Sequence, residues 1–215
     1  MNVFLTSFYS LNATLKGRES IVKNELNPYI DGSCRREPDF ENNSPCITGL
    51  CRPGFVKRLN EGDLVIYTTN KRGVRSNKIV AILKVNTLSV NHQLAAKWYK
   101  EKNISIPNNL MVKETKPFDL DKTHEIMGWG WNGCFGKKIE TVKEWDETYR
   151  NRAELSPDVA ICEKLYCDLS EPKELTVKDK NKFSKRKLST QTPPTLSDDE
   201  WEKLKEILYI KGISI

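Results

Sequence analysis

Histidine is scarce in this chain. Its 215 residues hold two, His92 and His124. There is no His-x3-His pair, and the six cysteines form no CxxC. The sequence therefore carries no zinc-ribbon, zinc-finger or deaminase-type metal signature. Cys46 and Cys51 enclose four residues, as do Cys162 and Cys167, a spacing that fits no common zinc site. Nucleophile elbow, P-loop and Rossmann fingerprint are all missing. No run approaches the roughly 18 apolar residues of a membrane span. The opening, Met1-Asn2-Val3-Phe4-Leu5-Thr6, lacks the basic n-region and long apolar core of a signal peptide. These absences predict a cytoplasmic protein with reduced thiols, no membrane partner and no metal or other cofactor. No internal repeat is visible.

Charge is plentiful. Asp, Glu, Lys and Arg make up 30% of the chain against 38% apolar residues, and 35 basic side chains against 29 acidic ones leave a net charge of +6. Such a balance favours an acidic partner, nucleic acid or a nucleotide above all. Part of the excess lies in one tract, Lys178, Lys180, Lys182, Lys185, Arg186 and Lys187. That tract reads as a weak electrostatic tether or as a solubilising linker. The length suits one well-buried domain with an appendage, or two small domains.

Periodicity places the elements. Val3 to Tyr9 reads as a first strand and Ser10 to Ser20 as a polar connection. Ile21, Val22, Leu26 and Tyr29 fit a short helix stopped at Pro28, or a loop packed on the core. Cys46 to Cys51 is a short strand, and Phe55 to Asn60 a basic link. The turn Glu61-Gly62-Asp63 feeds Leu64 to Thr69, a β-branched and aromatic run and the clearest strand of the chain. Ile79 to Leu88 follows, apolar on both faces at Ile79-Val80-Ala81-Ile82-Leu83, so both its faces should be buried.

Asn91 caps a helix from His92 to Lys102, with Leu94, Ala95 and Trp98 on its apolar side. Ile139 to Arg152 is an amphipathic helix through Val142, Trp145 and Tyr149. Val159 to Leu169 is a late strand. Residues 171–195 read as a basic linker. Ser197-Asp198-Asp199-Glu200 is a capping box that opens a last helix with a Trp201, Leu204, Leu208 stripe. The domain reading is therefore 1–170, a linker over 171–195, and a C-terminal helix over 196–215.

Chemistry concentrates between Asp31 and Asn70. Asp31-Gly32-Ser33-Cys34-Arg35-Arg36-Glu37-Pro38-Asp39 is too polar for a core strand and too broken for a helix. It reads as an irregular loop carried on a scaffold, where binding groups tend to sit. Arg35, Arg36 and Arg52 suit a phosphate or, in bidentate fashion, a base edge. Asp31, Glu37 and Asp39 can accept from base amino groups. The competing reading is an internal salt-bridge network that fixes the loop. Lys57, Arg58, Lys71, Arg72, Arg75 and Lys78 flank the strands and either follow a nucleic-acid backbone or form an ordinary solvated face.

Met127-Gly128-Trp129-Gly130-Trp131-Asn132-Gly133 suits neither helix nor regular strand. Its indoles either stack on a base, worth ~1–3 kcal/mol per base, or fill the core. Trp98 and Trp145, on amphipathic helices, read as core.

The order Asp-Gly-Ser-x-Arg-Arg-Glu-Pro-Asp at 31–39, Cys-Arg-Pro-Gly-Phe at 51–55 and Gly-Asp-Leu-Val-Ile-Tyr at 62–67 resembles the nucleotide-modification-associated domain group of the PUA-like superfamily, which also holds the ASCH, EVE and YTH domains. The resemblance spans Met1 to Leu169 and is most specific from Asp31 to Tyr67 and from Gln93 to His124. It implies an α+β fold, a PUA-like mixed β-barrel with flanking helices, to which the capping-box reading adds a C-terminal helical appendage. It also implies recognition of a nucleobase, a modified one included, in a setting of DNA modification or defence. On that reading Trp129, Trp131, Asp31, Ser33, Arg35, Arg36 and Asp39 bind the base, and Arg52, Lys57, Arg58, Arg72 and Arg75 hold phosphate. Two alternatives stand beside it. One is an enzyme acting on nucleotides or nucleic acid through His124 with Asp39 or Asp121. The other is an interaction subunit that uses its C-terminal helix to join a larger complex.

Overall fold

Alternation along the strands builds a sheet with two buried faces. The structure is a computed structural model describing residues 1–33, 35–69, 77–117, 141–184 and 192–215. Its strands are β1 (Val3–Phe8), β2 (Cys46–Thr48), β3 (Leu64–Thr69), β4 (Asn77–Ser89), β5 (Val159–Cys167) and β6 (Lys173–Leu175). They form one curled six-stranded sheet, a half-barrel, in the order β1-β3-β4-β5-β2, with β6 paired to the start of β4. β1 and β3 run parallel, with Phe4 opposite Val65 and Thr6 opposite Tyr67. The other pairs are antiparallel. The helices of the described residues are α1 (Leu15–Asn24), α2 (Pro53–Val56), α3 (His92–Glu101), α4 (Val142–Leu155), α5 (Val177–Phe183) and α6 (Asp198–Ile210).

Successive strand residues point to opposite faces. Phe4, Phe8, Val65, Tyr67, Val80, Leu83 and Val85 go to one face, where they meet Phe40, Phe55 and Leu59. Val3, Leu5, Leu64, Ile66, Ile79 and Ile82 go to the other, under Phe183, Trp201, Leu204, Ile207 and Leu208. The doubly apolar run of β4 is buried on both sides, as its composition predicts.

The C-terminal helix α6 supplies much of the second face. Its capping box is formed, with Glu200 N donating to Ser197 Oγ at 3.3 Å and Ser197 N to Glu200 Oε2 at 2.8 Å. Its apolar stripe therefore packs against the chain's own sheet. The segment before it lies along the free edge of β1: Leu5 N donates to Pro194 O at 3.2 Å and Leu196 N to Val3 O at 2.8 Å.

Several elements differ from the sequence reading. The polar stretch after β1 carries a 3-10 turn, Leu11–Ala13, and most of α1, whose first turn is capped by Thr14 accepting from Gly17 N at 3.0 Å. Its stripe is weak because Leu15 and Val22 stay exposed. The basic link after β2 opens with α2, started by Pro53 at its first position. In α3 the buried face is His92, Ala95, Ala96 and Tyr99, while Leu94 is half exposed and Trp98 only partly buried. Small residues let this helix approach the sheet closely, and the large ones are left at its margin. Residues 171–184, read as linker, hold β6 and α5, because Leu175 and Phe183 reach the second core face.

Leu204, fully buried between α6 and the sheet, sets the test of this packing. Leu204→Ala is expected to cost about 2–5 kcal/mol in urea unfolding. An unchanged midpoint would show that α6 is not part of the cooperative unit.

Candidate functional site

The loop from Asp31 to Asn42 is held at its start by backbone bonds. Leu11 N donates to Ile30 O at 2.9 Å, Tyr29 N to Leu169 O at 3.1 Å, and Asp31 bridges to Ser10. Asp31 then accepts from Ser33 N at 2.9 Å, the short-range turn that Asp-x-Ser favours. Arg36 adopts a left-handed φ of 47°, uncommon for a long side chain, and the Glu37–Pro38 peptide is cis. At the far side Phe40 anchors the loop, its ring 5.2 Å from both Phe8 and Tyr67.

Burial then forces pairing. Arg35 is fully buried, and its guanidinium donates to Asp146 on α4 through Nε (2.9 Å) and Nη2, and to Asn108 O through Nη1 at 3.0 Å. Asp146 also takes Arg150 Nε at 2.9 Å. Arg36 donates to Asp31 O at 3.0 Å, Ser33 O at 3.1 Å and Glu41 Oε2 at 3.1 Å. Both arginines thus brace the loop from inside. Asp39 Oδ2 accepts from Asn108 N at 3.0 Å, while Oδ1 has no hydrogen-bond partner, and burial pushes its carboxyl up.

Glu37 lies at the centre of a second buried group. Oε1 accepts from the Thr48 hydroxyl on β2, whereas Oε2 is buried without a hydrogen-bond partner. Arg52 and Arg152 bring positive charge to it, and Asp31 negative charge. Arg52 donates to Thr6 Oγ1 at 2.9 Å and to Tyr67 OH at 3.3 Å, with its guanidinium over the Phe55 and Tyr67 rings. Arg152, on α4, donates to Leu50 O at 3.0 Å and Cys51 Sγ at 3.5 Å. Burial pushes Glu37 up to about 7, although Thr48 and both arginines oppose it. Burial also raises Asp31 despite the Ser33 bonds. Cys51 is pushed up to about 12, chiefly by burial, and so stays a thiol at neutral pH. Asp31 and Cys51, only partly buried, bring this group to the surface.

Asp31, Ser33, Arg35, Arg36 and Asp39 therefore lie in one braced loop, and Arg52 sits in the adjoining buried group. Lys57 is exposed. Arg58 donates to Pro193 O and Thr195 Oγ1, both at 3.1 Å, tying the chain just after α2 to the segment that covers β1. Trp129, Trp131, Arg72, Arg75, Asp121 and His124 lie outside the described residues. His92 is buried on α3, accepts from Met111 N through Nδ1 at 3.0 Å, and is pushed down to about 4 by burial, so it stays neutral. Trp145 is core, as expected. Sequence reasoning missed Thr48, Tyr67, Asp146 and Arg152 as partners of the loop. Only the Asp146–Arg150 spacing of four hinted at any of them.

Among the described residues no cluster of His, Cys, Asp and Glu could hold a metal ion, and no helix is long and apolar enough to cross a membrane. No family model, curated protein or solved structure matches this chain.

Two expectations follow from the buried charges. Asp146→Ala leaves Arg35 without its carboxylate and should cost about 3–5 kcal/mol, whereas Arg150→Ala, at a side chain 40% exposed, should stay within about 1 kcal/mol. Equal losses in urea unfolding would contradict that ordering. For Glu37, the folded protein keeps a proton between 4.5 and about 7 that the unfolded chain releases. Folding is therefore weakened as pH rises through this window, by about 3 kcal/mol at its top. Glu37→Gln, which cannot ionise, should match the parent near pH 4.5 and exceed its stability above pH 7. A difference that stays constant across that range would refute the shift.

Proposed function

We propose that this protein binds a nucleobase or nucleotide, within nucleic acid and with modified bases among its targets, in a DNA-modification or defence setting. The observation that carries the reading is Glu37 Oε2, buried without a hydrogen-bond partner inside a braced, desolvated loop. Buried polar atoms are nearly always satisfied, and an unsatisfied one calls for an explanation, a bound group among them. A base edge carries the ring N–H, amino and ring-nitrogen groups that would complete it.

Other features agree. The net charge of +6 favours a polyanion, and Lys57 is exposed. A PUA-like barrel is the finer architecture this reading implies for the half-barrel. Trp129 and Trp131 keep their part in it as stacking surfaces on sequence grounds.

One observation favours an enzyme as second reading: a carboxyl raised to about 7 has the proton affinity that general acid–base catalysis uses. Turnover of a bound nucleotide, lost in Glu37→Gln, would select that reading.

Binding is tested with fluorescein-labelled single- and double-stranded DNA and RNA, with and without modified bases, over a salt series. The expected result is a base preference that survives at high salt. Weak binding that ignores the base and disappears with salt would reduce the protein to a basic surface.

A further inference from the structure

We infer that the outer face of α3 is a docking surface for a second copy of this chain, which pairs through it as a two-fold dimer. The face carries apolar side chains where a solvated helix would carry polar ones. Leu94 is 50% exposed, and Val90, just ahead of the Asn91 cap, 67%. Trp98 stands one turn after Leu94 and is only partly buried, its ring 5.1 Å from that of Tyr99. Ile104, also partly buried, closes the helix: Asn103 takes a left-handed φ of 55°, and Ile104 N donates to Tyr99 O at 2.9 Å. The helix meets the sheet through Ala95, Ala96 and Tyr99 instead. Exposed aliphatic groups beside a tryptophan make the kind of patch that a protein partner covers.

Charge selects that partner. Lys97 pairs with Glu101 at 3.7 Å, and Lys100 pairs with Glu114. Lys102 at the C-cap is the one further charged residue of the helix and its cap, so this face is neutral to within one charge. A nucleic acid, an anionic lipid surface or an acidic peptide would meet Glu101 and Glu114 here. A second copy brings the same balanced face. Over the molecule as a whole, a net charge of +6 makes two copies repel, so association is least opposed where charges are already matched.

The order of the charges also fits a two-fold axis. In such an interface, if one residue meets another, the reverse contact forms as well. Lys97 and Glu101 lie two positions to either side of Tyr99. Antiparallel α3 helices crossing at that level set Lys97 against Glu101 of the second copy, and Glu101 against its Lys97. The same register brings the two Trp98 rings to the axis and sets Leu94 against Ile104 of the second copy. Exposed ion pairs contribute little affinity. The apolar strip therefore holds the dimer, and the charges fix its register.

Sedimentation velocity on the full chain at low salt tests this. The face of one short helix is a small interface, so the parent should pass from monomer to dimer with a Kd on the order of tens of micromolar. Leu94→Glu, at an exposed position, should weaken association at least tenfold. Lys97→Glu and Glu101→Lys should each weaken it when studied alone, because each sets like charges across the axis. An equimolar mixture of these two variants should associate again, since the mixed dimer restores both opposite pairs. That recovery requires contacts between chains, because within each variant chain the pair stays broken. A parent that stays monomeric to several hundred micromolar, a dimer indifferent to Leu94→Glu, or a mixture that associates no better than its components overturns the inference. So does loss of binding to labelled oligonucleotides or to anionic vesicles in Leu94→Glu of a monomeric parent, which would give the face a different occupant.

Discussion

Arg35 carries a charge that cannot be shed and has no exposure to solvent. Its pairing with Asp146 is the constraint from which the rest of the loop follows. Breaking a buried pair of this kind leaves a bare charge in the interior, so the loop and α4 must move as one body. Once Asp146 is committed to Arg35 and Arg150, α4 is oriented with Trp145 and Tyr149 toward Leu50 and Met111. That orientation in turn delivers Arg152 to the neighbourhood of Glu37. The loop is thus tied to the later half of the chain by one ion pair, and Glu37 Oε2 beside it is left buried without a hydrogen-bond partner.

The sheet makes this arrangement affordable. One face of the half-barrel receives Phe40 and Phe55 from the loop side, the other receives the C-terminal helix. A polar loop with so many buried groups gains little from its own contacts. It persists because the aromatic anchor at Phe40 and the two apolar faces supply the free energy that its desolvated charges consume.

Much of the frame could be read from residues alone. The Gly62 turn before Leu64, the doubly apolar β4, the Asn91 cap and the Ser197 capping box each follow local rules, and each stands where those rules place it. Only the end of α1, at Ile21 and Val22, reads as helix, because Thr14 caps a segment with almost no apolar stripe. On α3 the spacing places Ala95 on the buried side correctly, but that side runs through His92, Ala96 and Tyr99 rather than Leu94 and Trp98. The loop's charges were recognisable, but their partners were not. Arg35 and Asp146 are 111 positions apart, and no periodicity connects residues at that distance. Whether a buried arginine braces a loop or faces a ligand depends on such long-range pairs.

The strand that begins the sheet has its outer edge completed by residues 194–196. On a ribosome these are made on the order of tens of seconds after β1, at roughly 5–20 residues per second. Until they emerge, Val3 and Leu5 lack their cover and the β1 edge offers open hydrogen bonds to any neighbouring chain. Nascent fragments ending before α6 therefore present a sticky, half-covered sheet. The native state is reached only when the late segment folds back on the early one, which makes truncated products of this chain candidates for chaperone capture and proteolysis.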